Sequence, residues 1–149
     1  MKSDYPLSKA EFDAIYSKVT RLAVEVLIYE KDKGVFLTER DIEPCKGQWH
    51  LPGGTVLFGE PVKDTVRRIA KREVGIDIKK SRLVGYIDYP SHYEKGLDSP
   101  VGLVFEVNDY VGIPKSTTEA TDGQWFTSVP KNMHADQDTW LLKNGYLKP

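Results

Sequence analysis

The segment from Gly53 to Ile76 constrains what this chain can fold into more than any other part of the sequence. It opens with a glycine pair, continues to the acidic residue Glu60 and then takes on a helical pattern. Pro61 suits the first turn of that helix, and Gly75 suits its C-terminal cap. The segment therefore predicts a tight turn, in which backbone groups can approach a ligand closely, followed directly by a helix.

The predicted helix carries a single carboxylate on its apolar face. At 3.6 residues per turn, the apolar residues lie within about 80 degrees of Val62, and Glu73 lies near the middle of the same stripe. The helix dipole disfavours an anion in the last turn by roughly 0.3–1 kcal/mol, and burying an unpaired carboxylate typically costs several kcal/mol. Glu73 should therefore meet a positive partner, and a metal ion is one candidate. The alternative is a rotated or frayed helix that lets Glu73 reach solvent or a distant arginine.

The rest of the chain is a series of short elements. Ser8 and Glu11 form a capping box that predicts a first helix, and residues 31–34 form a hairpin signal. A polar connection covers residues 108–121, and Asp136 is predicted to cap a final helix. The predicted strands span residues 22–29, 35–38, 82–89, 101–107 and 124–127.

This order of elements predicts the fold class. Several strands surround an isolated central helix, with further helices towards both ends of the chain. We therefore expect an α/β protein of the α+β type, with a mixed β-sheet sandwiched between helices, rather than a doubly wound parallel sheet. The chain has 149 residues, no internal repeat and no linker, which predicts a single domain over residues 1–149.

Composition excludes several functional classes. The net charge is −1 and the basic residues are scattered, so neither nucleic acid nor an anionic membrane is an expected partner. Cys45 is the only cysteine, which excludes an intrachain disulfide and a metal site made of cysteines alone. No apolar run approaches the roughly 20 residues that a membrane span needs, and the N-terminus lacks an apolar signal core. A cytoplasmic location follows as an expectation.

Residues 54–76 resemble the signature of the Nudix hydrolases, G-x5-E-x7-R-E-U-x-E-E-x-G-U, where U is a bulky aliphatic residue. The matching residues are Gly54, Glu60, Arg68, Ala70, Glu73, Gly75 and Ile76. Ile69 and Arg72 replace two of the three glutamates that converge on Mg²⁺ in the family. The resemblance implies a Nudix fold and a site for one Mg²⁺ ion, or Mn²⁺, rather than for several.

A similar loss of glutamates marks the GDP-mannose mannosyl hydrolase branch of the family, in which water attacks the anomeric carbon of the sugar. The chain is similar to this branch in four stretches, residues 7–26, 49–54, 125–127 and 132–135. The resemblance implies that the Gly54 carbonyl, Glu73 and Glu119 hold the metal ion, and that Arg40 neutralises charge on the leaving diphosphate. Glu25 is expected to bind the substrate, and Tyr93 could stack on it or donate a hydrogen bond to it.

The general base remains open at this stage. In the branch, a Gln-His pair precedes the last strand, and here the pair is Glu119-Ala120. Glu119 can ligate a hard cation, whereas Ala120 cannot accept a proton. His92 is the first candidate for the base, because it lies on the loop that closes over the sugar in the branch. Glu119 and Glu25 are the alternatives.

The resemblance implies a Mg²⁺-dependent hydrolase that releases GDP and sugar from a nucleoside diphosphate sugar such as GDP-mannose or GDP-glucose. It also implies a homodimer. Two rival functions stay open. One is a pyrophosphohydrolase of another nucleotide, such as a nucleoside triphosphate or ADP-ribose. The other is a Nudix-fold module that binds a nucleotide without turning it over.

Overall fold

The computed structural model describes residues 5–43, 45–117 and 120–149. Helix α1 spans Lys9–Tyr16, and the predicted capping box is present. Ser8 Oγ accepts the Glu11 backbone N–H at 3.1 Å, and Glu11 Oε1 accepts the Ser8 backbone N–H. The remaining elements are β1 (Arg21–Glu30), β2 (Gly34–Arg40), β3 (Trp49–His50), β4 (Gly53–Thr55), α2 (Val62–Ile69), β5 (Asp77–Asp88), α3 (Pro90–Tyr93), β6 (Pro100–Val111), β7 (Ala120–Phe126) and α4 (Ala135–Lys143).

The strands form one mixed sheet in the order β3-β2-β1-β6-β5, with β4 paired to β1 and β7 paired to β2. Strands β1 and β6 run parallel, whereas the other pairs are antiparallel. The predicted hairpin at residues 31–34 joins β1 to β2 and places Glu30 opposite Gly34. The first strand thus lies at the centre of the sheet, and β4 brings the glycine pair beside it.

Helices cover both faces of this sheet, as the sequence predicts. Alternate residues of β1 separate into two hydrophobic clusters: Val24, Val26 and Ile28 pack with α2, whereas Leu27 packs with Leu141 of α4. The side chains of all five are fully buried. The alternation of β1 therefore decides which helix each of its side chains meets.

The central helix ends where the sequence predicts, but its last turn is wider. Residues Ala70–Val74 continue α2 as a π-helix, and Gly75 closes it in the left-handed region at φ 75°. A π-turn changes the direction in which the side chains of a helix end point, and such turns are frequent at functional sites. Glu73 lies within this wider turn.

Three boundaries differ from the sequence prediction. The polar connection predicted over 108–121 is shorter, because β6 extends to Val111 and β7 begins at Ala120. The cap of α4 is His134 rather than Asp136: the His134 Nδ1 accepts the Asp136 N–H at 3.3 Å.

Among the described residues, no helix is long and apolar enough to cross a bilayer.

Candidate functional site

A cleft of about 920 Å³ opens where β1, β4, the end of α2 and helices α1 and α3 meet. Its lining brings together most of the residues that the sequence singled out: Glu25, Arg40, Gly54, Glu73 and His92. Tyr93 is not among the lining residues, and 51% of its surface is exposed at the end of α3. Glu119 lies outside the described residues.

The turn that floors this cleft is braced by Glu60 and Arg68. The Arg68 Nε lies 2.8 Å from Glu60 Oε2, and its Nη2 donates to the Thr55 carbonyl at 2.9 Å. Thr65 donates to the other Glu60 oxygen at 2.6 Å. The Arg68 hydrogen bonds lower the pKa of Glu60 to about 2, so the brace is ionised at neutral pH. These signature residues thus fix the position of the turn relative to α2.

Glu73 points inwards to the glycine pair. Its Oε2 accepts the backbone N–H of Gly53 at 3.1 Å. The neighbouring Gly54 lies against α2 so closely that an added Cβ would be 2.4 Å from Ile69 Cδ1. The hydrogen bond from the Gly53 N–H shows that Glu73 points inwards, as the helical wheel predicts. Carboxylate oxygens are ligands of the kind that Mg²⁺ takes, so Glu73, which points to the glycine pair, suits that ion.

Among the described acids of the cleft, Glu25 is the most deeply buried, with 6% of its surface exposed. Its Oε1 accepts the Tyr89 hydroxyl at 2.6 Å, and the side-chain amide of Gln137 donates to the same hydroxyl at 2.9 Å. Burial raises the pKa of the Glu25 carboxyl to about 7, although the Tyr89 hydrogen bond opposes the shift. Two glycines make room for it: an added Cβ would lie 2.3 Å from its Oε2 at Gly53 and 2.7 Å from its Oε1 at Gly102.

His92 and His134 also line the cleft, and their Nε2 atoms lie 3.0 Å apart. The Nδ1 of His92 lies 2.9 Å from Asp98 Oδ1, and the other oxygen of Asp98 pairs with Arg21 Nε at 2.8 Å. The hydrogen bond to Asp98 is the main reason that the pKa of His92 rises to about 9. Burial alone would raise the pKa of Asp98, but His92 and Arg21 lower it to about 2.

Two residues of this lining have no role in the sequence prediction. His134 is similar to a histidine of the branch, yet no chemistry could be argued for it from its position in the sequence. As the only cysteine in the sequence, Cys45 excludes an intrachain disulfide and a metal site made of cysteines alone, but the folded chain places its side chain beside the two histidines. Their separation along the chain hides this grouping from any local pattern. His50, by contrast, makes a loop contact through its Nδ1, which lies 2.7 Å from the Leu51 carbonyl oxygen.

Comparisons with known proteins agree with this architecture. A family model described as NUDIX domain matches residues 19–139. The low-salt glycan biosynthesis protein Agl8 of Haloferax volcanii is 34% identical over 101 residues, covering 65% of this chain and 64% of that protein. The ADP-ribose pyrophosphatase of Methanocaldococcus jannaschii is 33% identical over 106 residues, covering 70% and 62% respectively. The chain thus spans less than two thirds of the length of these relatives.

A solved structure gives the same picture of the fold. The crystal structure of a MutT NUDIX hydrolase from Burkholderia pseudomallei matches with a TM-score of 0.75 and 25% identity, over 83% of this chain and 96% of that one. The fold that the sequence predicts is confirmed by this match.

Proposed function

Because this chain belongs to the NUDIX domain family, we propose that it is a divalent-cation-dependent hydrolase of a nucleoside diphosphate sugar, with GDP-mannose or GDP-glucose as the first substrates to test. The observation that carries the proposal is the contact between Glu73 and the glycine pair in a cleft that also holds Arg40 and a buried acid. In this proposal, Glu73 is the carboxylate for the cation and Arg40 is the group for the diphosphate.

In this proposal, Glu73 and the Gly54 carbonyl hold the divalent ion, Mg²⁺ or Mn²⁺, and Glu119 remains the predicted third ligand. When bound, such an ion supplies positive charge beside the diphosphate. Arg40 lines the cleft at the end of β2, where its guanidinium can bind phosphate oxygens and offset charge on the leaving group. The cleft walls orient the substrate between these groups.

The loss of helix carboxylates supports attack at carbon rather than at phosphorus. Ile69 is 4% exposed and packs in the α2 cluster, so it contributes a hydrophobic contact where the family pattern has a glutamate. Arg72 lines the cleft in place of a second glutamate. A site with one helix carboxylate suits departure of an intact nucleoside diphosphate from the sugar.

Of the three candidates for the proton acceptor, Glu119 is assigned to the metal ion in this proposal, and two remain. His92 remains the sequence-based candidate, but both of its ring nitrogens have partners in the structure, Asp98 and His134. Glu25 is the second candidate, because its carboxyl lines the cleft and has a pKa of about 7, close to the value at which a general base works best at neutral pH. Removing the true base should lower the turnover number by about 10²–10⁴-fold and remove one limb of its pH profile.

The rival substrate class has its own support. The Methanocaldococcus jannaschii relative is an ADP-ribose pyrophosphatase, which favours cleavage between the phosphates of a nucleoside diphosphate derivative. The Haloferax volcanii relative is a glycan biosynthesis protein, which favours a sugar-linked substrate. Both substrates place a diphosphate in the cleft and differ in which bond breaks.

Product analysis in oxygen-18-labelled water separates these functions. The protein is incubated with Mg²⁺ and, in separate reactions, GDP-mannose, GDP-glucose, ADP-ribose and a nucleoside triphosphate. GDP together with labelled free sugar is the expected result. GMP with sugar phosphate, and the label on phosphorus, would refute attack at carbon. Calorimetric binding of a nucleotide sugar without turnover would assign the chain to the binding modules.

Glu73→Gln tests the cation site directly. The variant keeps the size of the side chain but loses the charge, so Mg²⁺-dependent turnover should fall at least about 100-fold. Glu94→Gln, at an exposed position after α3, is the matched control and should keep the wild-type rate. Equal rates in both variants would discard Glu73 as a ligand. A homodimer is also part of this proposal, and light scattering of the purified protein tests it.

A further inference from the structure

A sulfur atom and two imidazoles converge in the lining of the cleft. The ligand atoms of Cys45, His92 and His134 all lie within 4.8 Å of one another. The two imidazoles meet through their Nε2 atoms at 3.0 Å. Cys45 and His92 are half-buried and His134 is buried, so water only partly competes for this point.

Separate elements deliver these side chains. Cys45 lies in the loop between β2 and β3 with a left-handed φ of 68°, a conformation that residues other than glycine seldom adopt and that clusters at functional sites. Its carbonyl accepts the Gln48 N–H at 3.1 Å, which holds the loop closed. His134 is fixed by a backbone bond to the Trp49 carbonyl at 2.9 Å, and His92 extends from α3.

The spacing of the two imidazole nitrogens fits tetrahedral coordination. Two nitrogens bound to one Zn²⁺ ion at 2.0–2.1 Å are about 3.3 Å apart, close to the 3.0 Å between the Nε2 atoms. Asp98 supports His92 in the way that a carboxylate supports a metal-bound imidazole: it accepts the Nδ1–H, and a metal ion bound at Nε2 would replace the proton that the charged ring carries there. The hydrogen bonds from His134 and His92 lower the pKa of the Cys45 thiol to about 6, which favours the thiolate form that binds metals.

We propose that Cys45, His92 and His134 form a second metal site, which binds one transition-metal ion of the Zn²⁺ class and leaves a fourth coordination position accessible from the cleft. Its donor set of one sulfur and two nitrogens differs from the oxygen donors beside Glu73, and soft ligands of this type select Zn²⁺ over Mg²⁺. Coordination through Nε2 puts a proton on the His134 Nδ1, which gives up its long 3.3 Å contact with the Asp136 N–H.

Occupation of this site has a consequence for catalysis. The metal ion would occupy Nε2 of His92 in place of its proton, which removes that nitrogen from proton transfer. Among the described residues, Glu25 then remains as the candidate base, with a pKa of about 7. The proposal goes beyond the hydrolase function and does not depend on it, because metal binding is measurable without substrate.

Titration of the reduced, metal-free protein with Co²⁺ tests the site. One equivalent should produce the visible bands of tetrahedral cobalt and a thiolate-to-cobalt charge-transfer band, which can arise only from Cys45 because the chain has no other cysteine. Zn²⁺ should displace the cobalt and abolish both sets of bands. Alkylation of the Cys45 thiol by iodoacetamide should slow at least about tenfold when one equivalent of Zn²⁺ is added.

Variants locate the ion. Cys45→Ser should remove the charge-transfer band, and His92→Gln or His134→Gln should weaken Zn²⁺ binding at least about 100-fold. Asp98→Asn keeps the three ligands, weakens the support of His92 and also alters the ion pair with Arg21, and it should weaken Zn²⁺ binding by about 10–100-fold. His50→Gln is the matched control, since the remaining histidine of the chain is bonded to a backbone carbonyl. Circular dichroism checks that each variant is folded.

Several results would overturn the proposal. Tight Zn²⁺ binding that survives in the folded Cys45→Ser and His134→Gln variants would place the ion elsewhere. Absence of the charge-transfer band in the wild-type protein, or alkylation of the thiol at the same rate with and without Zn²⁺, would leave the cluster as a hydrogen-bonded thiol–imidazole group. Loss of Zn²⁺ binding in Glu73→Gln would show that the two sites are one.

Discussion

Replacing Glu25 by glutamine should make the stability of this protein much less dependent on pH. In the folded chain the carboxyl is 6% exposed, and burial raises its pKa from 4.5 to about 7. The amide of Glu25→Gln has nearly the same size, keeps an oxygen for the Tyr89 hydroxyl and cannot ionise. The comparison therefore isolates the cost of the charge.

The magnitude follows from proton linkage. One pKa unit corresponds to about 1.36 kcal/mol, so the shift of Glu25 corresponds to about 3 kcal/mol between its protonated and ionised forms. Because the folded-state pKa is raised, the folded state binds the proton more tightly than the unfolded chain does. The stabilising contribution is fully present below pH 4.5 and is lost as the pH rises through about 7.

Urea unfolding of both proteins between about pH 4 and about pH 8 measures this contribution. The free energy of unfolding of the variant minus that of the wild type should rise by about 3 kcal/mol across this range, with a slope of about 1.4 kcal/mol per pH unit in the middle. The exposed Glu94→Gln control should show a difference that stays within about 0.5 kcal/mol. A flat difference for Glu25→Gln would mean that Glu25 titrates normally, and it would end its candidacy as a base.

Three further predictions concern the frame of the cleft. Glu60→Gln should lower the free energy of unfolding at neutral pH by about 2 kcal/mol, as measured by urea unfolding. Because the pKa of Glu60 in the folded chain is lowered to about 2, this stability difference should disappear as the pH falls from 4.5 towards 2. Gly53→Ala places a Cβ 2.3 Å from Glu25 Oε2 and should cost about 1–3 kcal/mol by calorimetry, part of which a second change, Glu25→Ala, should recover. Asp98→Asn should lower the pKa of His92 from about 9 towards its ordinary value, as followed by NMR titration of the imidazole; an unchanged midpoint would mean that Asp98 does not hold the proton on that ring.

Local signals were sufficient for much of the fold. The Ser8 capping box, the hairpin at residues 31–34 and the left-handed Gly75 each act over a few residues, and the structure confirms all three. The parallel pairing of β1 with β6 was beyond such reasoning, because it joins segments that are far apart in the chain and depends on packing. The predicted N-cap of α4, Asp136, was wrong by two residues, because His134 caps the helix although aspartate is the more usual capping residue.

The candidate site likewise has features that the sequence predicts and features that only the folded chain reveals. The inward direction of Glu73 could be predicted because a helix repeats regularly and an acid in an apolar stripe needs a partner. The high pKa of Glu25 could not be predicted, since it arises from burial in a space that Gly53 and Gly102, two residues of other strands, leave open. The grouping of Cys45 with two distant histidines likewise required the folded chain.

The arrangement of β1 and β4 explains how one cleft can hold two acids of different character. On β1, Glu25 shares a face with Leu27 and therefore meets Tyr89 on the α4 side of the sheet, whereas Glu73 belongs to the helix on the other side. Gly53 separates them: its N–H donates to Glu73, and its bare Cα leaves room for the side chain of Glu25. A one-residue slip of β1 would exchange Glu25 with a valine and bury the acid against α2. The register of a single strand thus keeps the buried, protonatable acid apart from the carboxylate that faces the proposed cation.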